Sequence, residues 1–199
     1  MSIVYESSTL QQRAVIFYRE AYTERIGPHR QQIEALVRRA DEEGFQSDDV
    51  PPGDHVRNLR KFFAPERPTR VTEPMVETLP TALDEGGFDI LDVGCGLGEH
   101  MAVFRAAGNR VVGVCGGDGY YVEHFRYVHE LLGLDVRYAD ITQPWEFPDA
   151  SFDFVFSAMT LTLPSLIVEA GHIVPEMIRV CRSPGRIVVV PHRYLTWNK

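Results

Sequence analysis

At 199 residues, 44% hydrophobic and 24% charged, the chain suits one globular domain with at most a small appendage and can bury a real core. A formal charge of −8 argues against a broad nucleic-acid surface, because such affinity rests on many Lys and Arg contacts. Cys95, Cys115 and Cys181 form no Cys-x-x-Cys pair, so neither a disulfide framework nor a metal site is expected. The polar N-terminus has no signal-peptide pattern and no apolar run is long enough to span a membrane, so the expected location is the reduced cytoplasm, with no membrane partner. A basic cluster between Arg57 and Arg70 reads as a solvated helix face and loop.

Up to about Gly87 the pattern is helical. Leu10, Ala14, Phe17, Tyr18 and Ala21 recur at three- and four-residue spacing and predict one amphipathic helix. Gly27-Pro28 ends it, and Pro28 can open the next, with Ile33, Leu36, Val37 and Ala40 on its face and Gly44 as its stop. A loop over 46–53 and helices over 54–63 and 72–83 should follow, the last interrupted by Pro80. From Phe88 onward, short apolar runs alternate with helical stretches. Strands are predicted over 88–93, 110–114, 136–138, 152–156 and 186–190, and helices over 99–107, 120–132 and 167–181. That alternation means βαβ units, hence an α/β, doubly wound parallel sheet of the Rossmann-like kind. The expected division is a helical region over 1–86, on the lid or acceptor side, and a sheet domain over 87–199.

The segment Ile90-Leu91-Asp92-Val93-Gly94-Cys95-Gly96-Leu97-Gly98 runs a strand into three alternate glycines and then a helix. Glycines there let the backbone turn sharply and approach a ligand at the carboxyl ends of the strands. The spacing is Gly-x-Gly-x-Gly with an acid two residues before it, which differs from the dinucleotide pattern Gly-x-Gly-x-x-Gly. It resembles motif I of class I S-adenosylmethionine (SAM)-dependent methyltransferases. Phe147-Pro148-Asp149-Ala150-Ser151-Phe152-Asp153-Phe154-Val155 is similar to the run entering the fourth strand of the small-molecule, ubiquinone-biosynthesis-like (type 11) members. Arg179-Val180-Cys181-Arg182-Ser183-Pro184-Gly185 is similar to their approach to the fifth strand. Asp140-Ile141 matches the acid and neighbour that meet adenine.

The resemblance covers roughly 88–190. It implies SAM as cofactor, a small-molecule acceptor, and methyl transfer by in-line displacement. The cofactor-binding residues it implies are Asp92, Gly94, Cys95, Gly96 and Gly98 around the methionine end, and Asp140 and Ile141 around adenine. Ser157, at the end of the fourth strand, completes that set with Cys115 and Asp118. The family usually ends its second strand with an acid for the ribose hydroxyls. Cys115 stands there instead, and Asp118 either delivers the missing carboxylate or caps the next helix.

No residue identifies itself as a catalytic base. His100 lies nearest the cofactor and His172 nearest the acceptor side, while His124, His129 and His192 read as surface or helix residues. The family's usual final strands are missing after residue 190, so the sheet should have five strands in the order 3-2-1-4-5. Its fifth strand would then be an open edge, which a homodimer or the N-terminal region would cover. Two other functions compete with an active methyltransferase. A SAM-binding regulatory or degenerate module fits the absent ribose acid, and a nicotinamide enzyme keeps the fold but not the glycine spacing.

Overall fold

In a computed structural model, the residues described are 2–42, 68–116, 121–158, 160–162 and 169–190. The first helix, α1 (Ser2–Arg19), buries Ala14 and Tyr18, with Leu10 and Phe17 packed beside them. A π-helical stretch, Glu20–Glu24, continues it and keeps Tyr22 on the buried side. The Tyr18 and Tyr22 rings stack with centroids 4.8 Å apart. A short 3-10 turn at Gly27–His29, with Pro28 near its start, leads into α2 (Arg30–Glu42), as the Gly-Pro pair predicts. Gly44, the loop over 46–53 and the helix over 54–63 lie outside the described residues.

The helix predicted over 72–83 is two helices, α3 (Pro68–Thr78) and α4 (Pro80–Asp84). Pro80 lacks an N–H and its ring crowds the residue before it, which leaves Leu79 outside helical geometry. The proline splits the helix completely rather than bending it.

Five parallel strands follow: β1 (Asp89–Val93), β2 (Arg110–Cys115), β3 (Asp135–Tyr138), β4 (Phe152–Ala158) and β5 (Cys181–Val190). Their order is β3-β2-β1-β4-β5, as expected. The connecting helices are α5 (Glu99–Ala106), α6 (Tyr121–Leu132) and α7 (Ala170–Val180). Neighbouring residues of β1 face opposite ways, and both faces are covered. Ile90 joins the cluster formed with α1, α3, α4, α5 and α6, whereas Leu91 and Val93 join Ile173, Met177 and Val180 of α7. The N-terminal helices and one face of the sheet thus share a single core. After β1 the chain builds outward on one side to β2 and β3, then returns to build β4 and β5 on the other. That reversal opens a crevice at the carboxyl ends of β1 and β4.

β5 differs from its expected description. It begins at Cys181, five residues early, and its register against β4 shifts between Phe152 and Phe154. Four consecutive apolar residues, 187–190, read as a strand covered on both faces. Val188 is buried with the N-terminal side of the core, but Ile187 and Val189 are exposed. The apolar face of α7 is committed to β1 and β4. Among the described residues, β5 pairs with β4 alone.

Asn109, just before β2, is a buried polar tie that no pattern in the sequence announced. Its amide donates to Ala82 O at 2.7 Å and Phe104 O at 2.8 Å and accepts from Phe88 N at 3.2 Å. One side chain therefore fastens α4, α5 and the entry to β1. Phe104 O keeps the backbone bond from Asn109 N after truncation, but Ala82 O and Phe88 N lose their partner. Asn109→Leu should lower stability by about 2–4 kcal/mol, the cost of two buried unsatisfied backbone groups. Urea denaturation measures it, and an unchanged midpoint would show that water reaches both groups.

Candidate functional site

The glycine loop takes its shape from three left-handed residues, Gly94 (φ +72°), Gly96 (φ +54°) and Gly98 (φ +82°). Two of them are glycine because the protein itself is close. A Cβ on Gly94 would lie 2.2 Å from the Thr160 side chain, and one on Gly98 would lie 2.4 Å from Leu134 Cδ1. Gly96 is different: a Cβ there would meet nothing within 4 Å among the described residues. Its bare Cα faces open space beside the crevice, where a ligand can approach the backbone.

All five carbonyls from Val93 to Leu97 have donors. Ser157 Oγ donates to Val93 O at 3.0 Å, and Thr160 Oγ1 to Gly94 O at 2.9 Å. Gly98 N donates to Cys95 O at 2.8 Å, and Tyr22 OH to Leu97 O at 3.2 Å. His129 Nε2 lies 2.8 Å from Gly96 O. A carbonyl only accepts, so Nε2 carries the proton, and Nδ1 accepts from Tyr138 OH at 2.8 Å. Burial also holds the His129 pKa down, in keeping with a neutral ring. The loop is therefore fixed from β4, the turn after it, α6 and the N-terminal region together.

The acids beside the loop are treated in the opposite way. Asp92, near the end of β1, is 1% exposed, and Glu99, the first residue of α5, is 6% exposed. Among the described residues, Asp92 Oδ2 and Glu99 Oε1 have no hydrogen-bond partner. Burial first, then the neighbouring Glu99 and Cys115, pushes the Asp92 pKa well above the carboxylate range. Burial pushes Glu99 up to about 7, against a smaller opposing effect of its own backbone N–H. Two buried carboxyls with one orphan oxygen each, flanking the glycine loop in sequence, make a site for a cationic group.

Cys95 and Cys115 are buried side by side. The Cys95 thiol donates to Cys115, which raises the first pKa and lowers the second, and backbone N–H groups of Gly116 and Gly96 also favour the Cys115 thiolate. Cys115 thus turns towards the glycine loop. Asp140 is exposed, and its Oδ1 accepts from Thr142 N at 2.9 Å and Thr142 Oγ1 at 2.7 Å. Those bonds hold its pKa below the usual value, so it stays an acceptor at neutral pH. Ile141 is buried in the α7-side core, and its carbonyl accepts from the Trp145 indole at 3.0 Å.

The structure thus gathers Asp92, Gly94, Cys95, Gly96, Gly98 and Cys115 around one loop, with Asp140 and Ile141 at the end of β3. Ser157 spends its proton on Val93 O, leaving only acceptor capacity. Asp118 and His192 lie outside the described residues, as does the side chain of His124. His100 is buried against Phe156 and bonded to the Val71 backbone; burial pushes its pKa down to about 4. His172 sits on α7 with its side chain 72% exposed, 3.9 Å from Glu169.

Sequence reasoning missed Glu99, Thr160 and the His129–Tyr138 pair. An acid directly after the third glycine is a usable signal for Glu99. Nothing in the spacing marks Thr160 or His129, which reach the loop only through the fold.

A family model described as a methyltransferase domain matches residues 91–189. A phosphatidylethanolamine N-methyltransferase of Cereibacter sphaeroides is 40% identical over 65 residues, which is 33% of this chain and 28% of that protein. A sterol 24-C-methyltransferase of Yarrowia lipolytica is 35% identical over 104 residues, 50% of this chain and 26% of that protein. The chain spans about a quarter of the length of these two relatives. A crystal structure of a SAM dependent methyltransferase from Aquifex aeolicus superposes with a TM-score of 0.50 at 23% identity, covering 67% of this chain and 70% of that one. That likeness extends to the fold.

The buried acid makes ligand-free stability depend on pH. In the folded chain Glu99 keeps its proton up to about pH 7, against 4.5 for an ordinary glutamate. The folded state binds the extra proton between those values, so the contribution of Glu99 to stability falls as pH rises from about 4.5 to 7 and levels off above. Glu99→Gln should match the parent near pH 4.5 and exceed it at pH 8 by about 1–3 kcal/mol. Urea denaturation at the two pH values decides this; a variant less stable than the parent at pH 8 contradicts it.

Proposed function

This chain belongs, over residues 91–189, to the methyltransferase domain family, and on that premise we propose that it transfers a methyl group from SAM to a small-molecule acceptor. The observation that carries the reading is the site's chemistry. Asp92 and Glu99 present uncommitted buried oxygens, and neither is in an ion pair among the described residues. The open side of Gly96 lies in the same loop. An amino-acid end with an ammonium group fits such a place, whereas a pyrophosphate would meet two acids.

In this reading Asp92 and the loop from Gly94 to Gly98, with Cys95, hold the methionine end. Asp140 accepts from the adenine amino group, with Ile141 beneath the ring. Asp118 supplies the ribose acceptor, since the Cys115 sulfur is taken up by Cys95 and the loop. Bound SAM supplies a methyl group on a cationic sulfur, already activated for in-line attack. The chain's contribution is to align the acceptor and exclude water, and alignment of this kind lowers a barrier substantially. Residues 1–86 form the acceptor side, and 87–199 form the cofactor domain. The free thiols suit the reducing cytoplasm. A second copy pairing along the outer edge of β5 is the proposed assembly, and a monomer mass by light scattering at micromolar concentration would exclude it.

One observation favours a second reading, a SAM-binding module without its own turnover. β2 ends in a buried thiol where the resemblance implies a ribose acid. Formation of S-adenosylhomocysteine against a metabolite panel separates the two: steady production with any acceptor supports the enzyme, and binding without turnover across the panel supports the module.

Calorimetry with SAM tests the site itself. Gly96→Val should abolish binding while circular dichroism shows an intact fold, because the added side chain enters open space and costs only about 1–2 kcal/mol of left-handed strain. Asp118→Ala should weaken binding roughly tenfold to hundredfold, the loss of one hydrogen bond to a charged acceptor. Unchanged affinity in Gly96→Val would remove the glycine loop from the site, and unchanged affinity in Asp118→Ala would leave Asp118 a helix cap.

A further inference from the structure

Glu99 has no structural role that accounts for it. It opens α5, where an acid has a favourable interaction with the helix dipole. A capping role, however, would leave the carboxyl at the surface or bonded at both oxygens. Glu99 is 6% exposed, and Oε1 has no partner among the described residues. Among the described residues, the groups whose titration its charge affects are Asp92 from β1 and the phenols of Tyr18 and Tyr22 from the N-terminal region, and Asp92 in turn is affected by Cys115 from β2. None of these is a cation. His100, next in the chain, is neutral and bonded to the Val71 backbone.

Resting on the SAM reading above, we propose that Glu99 is a second positioning residue for the ammonium of the cofactor's amino-acid end, and that Asp92 and Glu99 hold at least one proton between them until that ammonium displaces it. Two ionised carboxylates cannot lie together in a buried site without a counter-charge. The empty site meets that constraint by keeping a proton on the pair. An ammonium has three donors, enough for both orphan oxygens, and brings the positive charge that lets both acids ionise. The shared proton then leaves to solvent as the ligand enters, so ammonium binding and proton release are one event. Asp92 alone would also keep a proton when buried; the second orphan oxygen, on Glu99, is what points to a pair.

The experiment compares S-adenosylhomocysteine, which carries the ammonium, with 5′-methylthioadenosine, which lacks the whole amino-acid end. Calorimetry at pH 7 in two buffers of different ionisation enthalpy counts the protons released. The parent should release a substantial fraction of a proton with S-adenosylhomocysteine and none with methylthioadenosine. Glu99→Gln should bind S-adenosylhomocysteine at least tenfold more weakly, with proton release abolished and methylthioadenosine affinity unchanged. Equal affinity and equal proton release in the variant overturn the proposal, and so does an equal weakening for both ligands, which would make Glu99 merely structural. If the parent binds neither ligand, the SAM reading itself falls. Carbon-13 carboxyl titration of the ligand-free chain then judges the pair alone: a Glu99 resonance titrating in the ordinary glutamate range overturns the shared proton, and one titrating near neutrality upholds it.

Discussion

The run of carbonyls from Val93 to Leu97 sets the terms for the rest of the site. Backbone oxygens just past the end of a central parallel strand are beyond the strand ladder and mostly shielded from water. Each must find a donor or cost more than 1 kcal/mol. Here the donors are the hydroxyls of Ser157, Thr160 and Tyr22, the His129 imidazole and the Gly98 amide. The N-terminal region, β4 and α6 are thereby tied to one loop. The loop cannot shift without breaking bonds to several elements at once. This is how a chain of this size can hold three left-handed glycines in a fixed arrangement.

Against that background the two acids stand out. A fold that finds a partner for each of these carbonyls leaves Asp92 Oδ2 and Glu99 Oε1 with none among the described residues. The scale of the two effects decides how to interpret this. Leaving a neutral carbonyl unpaired costs a little; burying an unpaired carboxylate costs far more, so the group takes up a proton instead. The raised pKa values of both acids express that cost. Stability is given up in the empty state at the place where a cationic ligand would restore it, a pattern typical of functional sites rather than of structural polar clusters.

The parts of this structure that follow local rules were readable from the residues, and the parts that depend on long-range meetings were not. The five strands and the glycine loop follow from alternation and the strand-to-helix punctuation at Gly94, Gly96 and Gly98, and the strand order from the family resemblance. Pro80 announced a break, but its severity depended on Leu79 falling out of helical geometry. The length of β5 was hidden because Arg182, Ser183, Pro184 and Gly185 are turn-like residues, although they lie within the strand in the fold. His129 looked like one of several helix histidines. Only the packing of α6 against β3 and the loop places it between Tyr138 OH and Gly96 O. A histidine's role of this kind is set by two partners, one nine and one 33 residues away, and no window of sequence contains both ends of that relation.

Cys115 shows why substitution at a recognised position has to be weighed with its neighbours. A thiol in place of a ribose acid looks like simple loss of function when the strand is read alone. In the fold it accepts from Cys95 and from the amides of Gly96 and Gly116, so it serves the loop rather than the crevice. Gly113 makes room for that arrangement: a Cβ there would meet Met101 Sδ at 2.5 Å and Cys95 Sγ at 2.7 Å. The end of β2 is thus shaped around a sulfur cluster, and a carboxylate in place of Cys115 would bring a third buried acid beside Asp92 and Glu99. Like-charge crowding of that size would drive further protonation and weaken the site for a cation. The missing ribose acid and the extra acid at Glu99 are therefore compatible features of one electrostatic design: the negative charge that binds the cation is concentrated at β1 and α5, and β2 is kept neutral or weakly acidic so that it can be.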